Sequence, residues 1–496
     1  MHKRHPHHVR LALATATAAA LTGGLLTFSA ATATAADSTK VPQADFNGDG
    51  KGDVAVSAHG ASVSGHAGAG QIVALYGTTT GVSSAKRSTI SQNTAGVPGT
   101  AEAGDAFGAE TAYADFNHDG YDDLAVASPS EKVGTDTNGG SLTILWGSLG
   151  GLTGKAVNVP DPSPSSHDYW GKDLAAGDFD GDGKADLVVG SSASTLYVYK
   201  GGFSTSGTPG GRTTIKPPIQ SGTNDNPYGP MSLTAGDVNG DGRTDLIVDG
   251  FETQSDGWNT NYYVPGTASG LNVASAKALR PGIVTGIGDI NGDGFGDIVS
   301  GAGWDGTLDD GTPVPDSANG GKVNITYGSA SGPAGTTGVT QDSGNVPGSS
   351  EKGDGFGWDL DMGDVNGDGY QDLVVSAPNE DLGGVTNTGM VTVMYGSASG
   401  INVSSGVQAF AQSTAGVPGN DEKGDLFGAD VKLDDVNGDG KADLLVGSYE
   451  NSADGAVVYL PSDGHVITAT GSRFVAPDAS GVSTSGTPQF GALFAD

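Results

Sequence analysis

The stretch Asp45-Phe46-Asn47-Gly48-Asp49-Gly50-Lys51-Gly52-Asp53 runs straight into the apolar, β-branched segment Val54-Ala55-Val56. Its pattern, D-x-[ND]-x-D-G-x-x-D, is written seven times, beginning at Asp45, Asp115, Asp178, Asp237, Asp289, Asp364 and Asp435. Side-chain oxygens at positions 1, 3, 5 and 9 converge on one centre, position 7 can lend its carbonyl, and Gly at position 6 permits a sharp turn. That is the oxygen-rich, flexible cage a hard cation of calcium size requires. The ligands expected in the first two loops are Asp45, Asn47, Asp49 and Asp53, then Asp115, Asn117, Asp119 and Asp123. The third and fourth offer Asp178, Asp180, Asp182 and Asp186, then Asp237, Asn239, Asp241 and Asp245. The last three offer Asp289, Asn291, Asp293 and Asp297; Asp364, Asn366, Asp368 and Asp372; and Asp435, Asn437, Asp439 and Asp443. About seven structural Ca2+ are expected, because every ligand set is local and the copies look alike.

The repeat also sets the architecture. Successive first aspartates are 70, 63, 59, 52, 75 and 71 residues apart, and periods of this size mark propellers or solenoids. An EF-hand is the competing reading. That loop needs a bidentate Glu at position 12, where this chain has Val56, Val126 or Val189. The segments that follow, such as Leu187-Val188-Val189 and Leu373-Val374-Val375, are strand-like rather than helical. A second strand signal ends in an aromatic residue and Gly, as in Tyr76-Gly77, Trp146-Gly147 and Tyr395-Gly396. The 85 glycines supply the turns that many short strands require.

Eight residues before most of the loops sits an aromatic-Gly pair: Phe107-Gly108, Trp170-Gly171, Phe356-Gly357 and Phe427-Gly428, with Tyr228-Gly229 one residue farther out. Ser128-Pro129 and Ala377-Pro378 echo an Ala-Pro ending after the strand. The chain therefore resembles the FG-GAP repeat family, the seven-bladed β-propellers of integrin alpha chains and many secreted bacterial proteins. The resemblance implies an all-β fold of four-stranded antiparallel blades. It departs in blade 5, where Pro281-Gly282 stands in the aromatic-Gly position, and blades 1, 3, 4, 5 and 7 lack the Ala-Pro ending. The first loop has no aromatic-Gly strand before it, but Gln489-Phe490-Gly491-Ala492-Leu493-Phe494-Ala495-Asp496 supplies one at the other terminus. This segment is expected to be the innermost strand of blade 1, closing the ring and protecting its sheet edges.

Residues 1–35 read as a signal peptide: Lys3, Arg4 and Arg10, an apolar stretch from Leu11 to Ser29, and the small-residue site Ala33-Thr34-Ala35. Residues 36–496 are then a single propeller domain. No segment is apolar enough to be a permanent membrane span, so a secreted, extracellular monomer is expected. The chain has no cysteine, which leaves calcium as the ready source of rigidity. Removing residues 1–35 takes away three basic groups and no acid, moving the formal net charge from -34 to -37. That balance argues against nucleic acid as a partner, and self-repulsion within the loops is what a metal would relieve.

No H-E-x-x-H or G-x-S-x-G motif is present. His118, at position 4 of the second loop, reads as an exposed loop-tip residue. His59 and His66 flank a Gly/Ser/Ala-rich loop, either a solvated turn or a weak metal site. In a four-stranded blade the second turn and the link to the next blade open opposite the calcium loops. On that face fall Glu102, Glu351 and Glu422 in three related links, with Asp105, Asp354 and Asp425 after them and Glu131, Glu380 and Glu450 in second turns. They read either as solvated turn caps or as an acidic patch for a cation or a basic partner. Trp258 and Trp304, in second turns rich in Asp, Asn and Gly, suit a sugar ring or pack over their own blades. Trp146, Trp170 and Trp358 read as core. The expected function is an extracellular binding or adhesion module for a protein or glycan ligand, without enzymatic activity. The alternative is a secreted phospholipase- or glycosidase-like hydrolase with its site on a propeller face.

Overall fold

The computed structural model describes residues 43–222, 228–253, 259–307 and 312–495; the expected signal peptide and Trp258 lie outside them. Blade 2 illustrates the unit. Its inner strand, Glu110–Ala114, runs into the second oxygen-rich loop, which turns the chain into Asp123–Ser128; Ser141–Leu145 and Ala156–Asn158 follow outward. All neighbours are antiparallel, with Tyr113 opposite Leu124 and Leu124 opposite Leu145. Six sheets have four strands in sequence order from the axis outward. Among the described residues, helix is confined to Glu450–Ala453 and a 3-10 turn at Val273–Ser275. No helix among the described residues is long and apolar enough to cross a membrane.

The remaining sheet has three regular strands, Val54–Ala58, Gln71–Leu75 and Arg87–Ile90. Its axial edge is taken by the C-terminal segment, where Val56 bridges Phe494 in antiparallel fashion. Ser57 N donates to Leu493 O and Ala495 N to Ala55 O, both at 2.8 Å. The ring closes as the sequence pattern predicts.

Seven apolar clusters fill the seven interfaces between neighbouring blades. The aromatic of the aromatic-Gly pair lies in the interface with the preceding blade: Phe107 between blades 1 and 2, Trp170 between 2 and 3, Phe490 between 7 and 1. Gly108 after it has φ of 91°, and a Cβ there would stand 2.6 Å from Ile72 Cδ1. Blade 5 breaks the rule in a physically consistent way. Without an aromatic, the blade 4–5 cluster shrinks to Val238, Ile247, Tyr263 and Ile298. The buried amide of Asn261 stands in, donating to Arg280 O at 3.0 Å and Gly282 O at 3.1 Å.

One core assignment needs correction. Trp146 and Trp170 are buried, but Trp358 is only half-buried. It follows its aromatic-Gly pair by one residue, at the start of the inner strand, where the blade meets the open face.

Candidate functional site

In each oxygen-rich loop the position-1 carboxylate first organises the backbone. Asp45 accepts the N–H groups of Asp49 at 3.0 Å and Gly50 at 2.8 Å, and Asp178 accepts those of Gly181, Asp182 and Gly183. The position-9 carboxylate ties the loop to the next turn. Asp53 accepts Gly77 N at 2.9 Å, Asp123 accepts Gly147 N at 2.8 Å and Asp372 accepts Gly396 N at 2.9 Å. This explains the Gly that ends the third strand, since its N–H must reach that carboxylate. The position-9 groups are fully buried or nearly so. Burial pushes Asp53 and Asp372 up to about 8, Asp123 to about 9, and Asp186, Asp245, Asp297 and Asp443 to about 7, with the neighbouring loop carboxylates adding to the rise. Carboxylate oxygens of Asp178, Asp180 and Asp186 lie within 4.8 Å of one another. An all-oxygen set so arranged fits a hard cation, which would supply the missing positive charge.

Position 4 of every loop is left-handed, with φ between 62° and 77°, and in the second loop the residue there is His118. Its side chain is exposed, as read from sequence. An L-residue in this conformation costs about 1–2 kcal/mol, partly offset by the chain entropy that Gly would lose, about 0.5–1 kcal/mol. His118→Gly is therefore expected to raise the melting temperature slightly in calcium. A lower temperature in calorimetry would contradict this account.

On the opposite face Glu102, Glu351 and Glu422 are exposed, as expected. The other six carboxylates are not a free patch. Asp105, Asp354 and Asp425 accept the backbone N–H of Glu102, Glu351 and Glu422 respectively, and Glu131, Glu380 and Glu450 are bound by glutamine amides. Trp304 is half-buried, with its Nε1 turned inward, while Asp305 beside it accepts Gly320 N at 3.0 Å and Gly353 N at 3.2 Å. This turn is pinned down rather than raised as a free platform. His66 is exposed in a tight turn, whereas His59 is half-buried toward the axis, so the two flank the loop without forming one site.

Sequence reasoning missed the axis. The residues three places after each aromatic are Glu110, Asp173, Asp359 and Asp430 in blades 2, 3, 6 and 7, with Met231 and Leu493 in blades 4 and 1. They stand at the axial edge, where an inner strand has unpaired N–H groups. The acids satisfy them across blades: Asp359 accepts Val431 N at 2.7 Å and Asp430 accepts Phe494 N at 3.2 Å. Glu110 likewise accepts Leu174 N. On the face opposite the oxygen-rich loops, residues of five blades enclose a cavity of about 420 Å3. Glu110, Lys172, Asp173, His59, Tyr169, Gln489 and Tyr449 line it with Met231 and Leu493. Lys172 Nζ donates to Tyr228 O at 2.9 Å and stands 3.7 Å from Asp173. His59 Nδ1 lies 3.4 Å from Ser57 Oγ, and burial holds its pKa down. Tyr169 and Gln489 have φ of 59° and 55°, a costly conformation for residues other than Gly.

Burial, followed by the charge of Asp173, pushes Glu110 well above the ordinary carboxyl range. A raised folded-state pKa means stability present at low pH and lost as pH climbs above the unfolded value toward the folded one. Glu110→Gln is expected to flatten the alkaline side of a melting-temperature profile. An unchanged profile would show that Glu110 does not titrate in this way.

Seven antiparallel sheets around an axis, each turning through the same oxygen-rich loop, define a repeat-built β-propeller. Residues 39–75 and 356–394 match the FG-GAP repeat, and residues 115–189 and 178–248 match the FG-GAP-like repeat. The chain thus carries FG-GAP repeats on a seven-bladed propeller and is similar to propellers of the integrin-like kind. Phosphatidylinositol-glycan-specific phospholipase D of Mus musculus is 36% identical over 148 residues, 30% of this chain and 17% of that protein. Integrin alpha-PS2 of Drosophila melanogaster is 26% identical over 270 residues, 54% of this chain and 15% of the integrin. The chain thus spans only a minor part of the length of either relative. Among solved structures, an exotype rhamnogalacturonan lyase superposes on 87% of this chain and 72% of its own with a TM-score of 0.42 at 14% identity. The expectation of no enzymatic activity is overturned by the relatives named as a phospholipase D. Its basis was the lack of a local motif, and a site assembled from several blades leaves none.

Proposed function

We propose that this chain is a secreted, calcium-loaded propeller that recognises an extracellular protein or glycan at the axial cavity and its rim. The carrying observation is the cavity itself. Five blades contribute to it, and acids, a lysine, tyrosines and an amide converge where the seven metal loops do not reach. Mixed apolar and hydrogen-bonding linings of this kind suit ligand recognition. Calcium in the loops is read as structural, holding the blades so that the opposite face is preorganised. A glycan array and a secreted-protein pull-down, each with and without calcium, test the reading. Glu110→Gln and Tyr449→Ala should abolish the binding found, with the fold unchanged. Binding that survives both would place the site elsewhere, with Trp304→Ala and the Glu102, Glu351 and Glu422 replacements locating it.

The hydrolase reading has its own support in the relatives named phosphatidylinositol-glycan-specific phospholipase D. The same cavity offers Glu110, whose pKa burial raises, as an acid and His59, whose pKa burial lowers, as a base. Release of a phosphatidylinositol-glycan-anchored reporter by the mature chain, lost in Glu110→Gln and His59→Gln, would favour it. No release above the buffer rate would disfavour it.

A further inference from the structure

Three links on the face opposite the metal loops repeat an arrangement that the binding cavity does not use. Gln92, Gln341 and Gln412 each stand two residues beyond an outer strand and are 4%, 2% and 3% exposed. Each amide nitrogen donates to the second-turn glutamate of the following blade: Gln92 to Glu131 at 2.6 Å, Gln341 to Glu380 at 2.7 Å, and Gln412 to Glu450. Each amide oxygen is buried with no hydrogen-bond partner. Beside every glutamate stands the link aspartate, near enough for the two charges to repel: Asp105 by Glu131, Asp354 by Glu380, Asp425 by Glu450. In blades 6 and 7 the backbone enforces that approach, because Asn379 N donates to Asp354 O and Tyr449 N to Asp425 O.

A buried acceptor without a donor costs about 1–3 kcal/mol. Oε1 reaches the glutamate only when the amide is turned by 180°, and there it faces a carboxylate oxygen with no positive centre between them. In either setting one positive centre is missing, and the same lack recurs in three blades. Water could satisfy the amide but would leave two like charges uncompensated. A cation placed among the three groups does both.

We propose that these are three cation sites of a second kind, each formed by a glutamine Oε1, a second-turn glutamate and a link aspartate. The donors are all oxygen, which selects a hard divalent ion of the calcium class. Each site ties the outer end of one blade to the second turn of the next, bracing the interfaces 1–2, 5–6 and 6–7. The sites differ from the metal loops in having ligands from two blades, and they stand or fall independently of those loops.

Calcium titration calorimetry on the mature chain, stripped of metal and refilled, tests this. The triple variant Glu131→Gln, Glu380→Gln, Glu450→Gln keeps shape and hydrogen bonding, and should bind three fewer Ca2+ per chain than the parent with the same circular dichroism. Equal stoichiometry in parent and variant overturns the proposal. If the triple variant does not fold, Glu380→Gln alone should lose one ion, and the loss of none is equally decisive. Failure of the loop reading looks different: the parent would then bind about three ions and the triple variant none.

Discussion

In excess chelator the mature chain is expected to lose its cooperative thermal transition or to melt tens of degrees lower than in calcium. A ligand that binds only the folded state at 100 times its Kd stabilises it by about 2.7 kcal/mol. Seven such loops together would exceed the whole stability of an ordinary domain, about 5–15 kcal/mol. The cost of removing a cation from them follows from the fold. Asp53, Asp123, Asp245, Asp297, Asp372 and Asp443 are wholly buried carboxyls, and each anchors the turn after its third strand, as Asp443 does by accepting Ser462 N at 2.9 Å. Without a cation those groups must either protonate or carry uncompensated charge inside the blade. Scanning calorimetry with and without chelator reads the effect directly. Coincident transitions would remove calcium from the account of stability and leave the loops as hydrogen-bonded turns. A single Asp182→Asn replacement should give a small fraction of the loss, since it weakens one loop of seven.

The loops, the blade number and the closing strand were legible because each is a local pattern. Gly at position 6 and the acids at 1, 5 and 9 serve one nine-residue turn, so their spacing survives in the chain. The aromatic-Gly pair is local as well, and even its loss at Pro281-Gly282 marked the blade whose interface is thinnest. What the chain hides is any contact made around the ring. Glu110, Asp173, Asp359 and Asp430 share one place in the repeat, three residues after the aromatic. That position reads as an ordinary strand start until the axis brings Glu110 to Leu174 and Asp359 to Val431. Aligning the seven repeats and asking which column is acid in four of them would have been the signal. The pairing of Gln92 with Glu131 spans 39 residues, as does that of Gln341 with Glu380, so the spacing recurs but joins two blades, and it shows only when the repeats are laid side by side. Trp358 was misplaced for the opposite reason. Its neighbourhood in sequence is a strand, but its neighbourhood in space is the open face.

Deleting Gln489 to Asp496 should be the most damaging change that leaves all seven oxygen-rich loops intact. Phe490, Leu493 and Phe494 are all buried, and burying side chains of this kind is worth about 1.5–3 kcal/mol each. The deletion also strips three backbone links from blade 1, formed at 2.8 Å by Ser57 N, at 2.8 Å by Ala495 N and at 3.1 Å by Gly491 N. Lys432 loses a partner at the same time. Its Nζ is fully buried, donates to Ala495 O at 2.9 Å, and lies 3.4 Å from Asp434. Asp430 would lose the Phe494 N–H that it accepts. The summed loss is on the order of 5–10 kcal/mol, comparable to the stability of a whole domain. The exposed axial edge of Val54–Ala58 would also offer unpaired backbone groups to other chains. Light scattering should therefore report aggregation of the truncated chain even in saturating calcium, and adding residues 489–496 back as a peptide should restore part of the lost melting temperature. A truncated chain that stays monomeric and melts with the full-length protein would mean that blade 1 holds together through Val54–Ala58, Gln71–Leu75 and Arg87–Ile90 alone, and that strand exchange between the chain ends adds nothing to the closure of the ring.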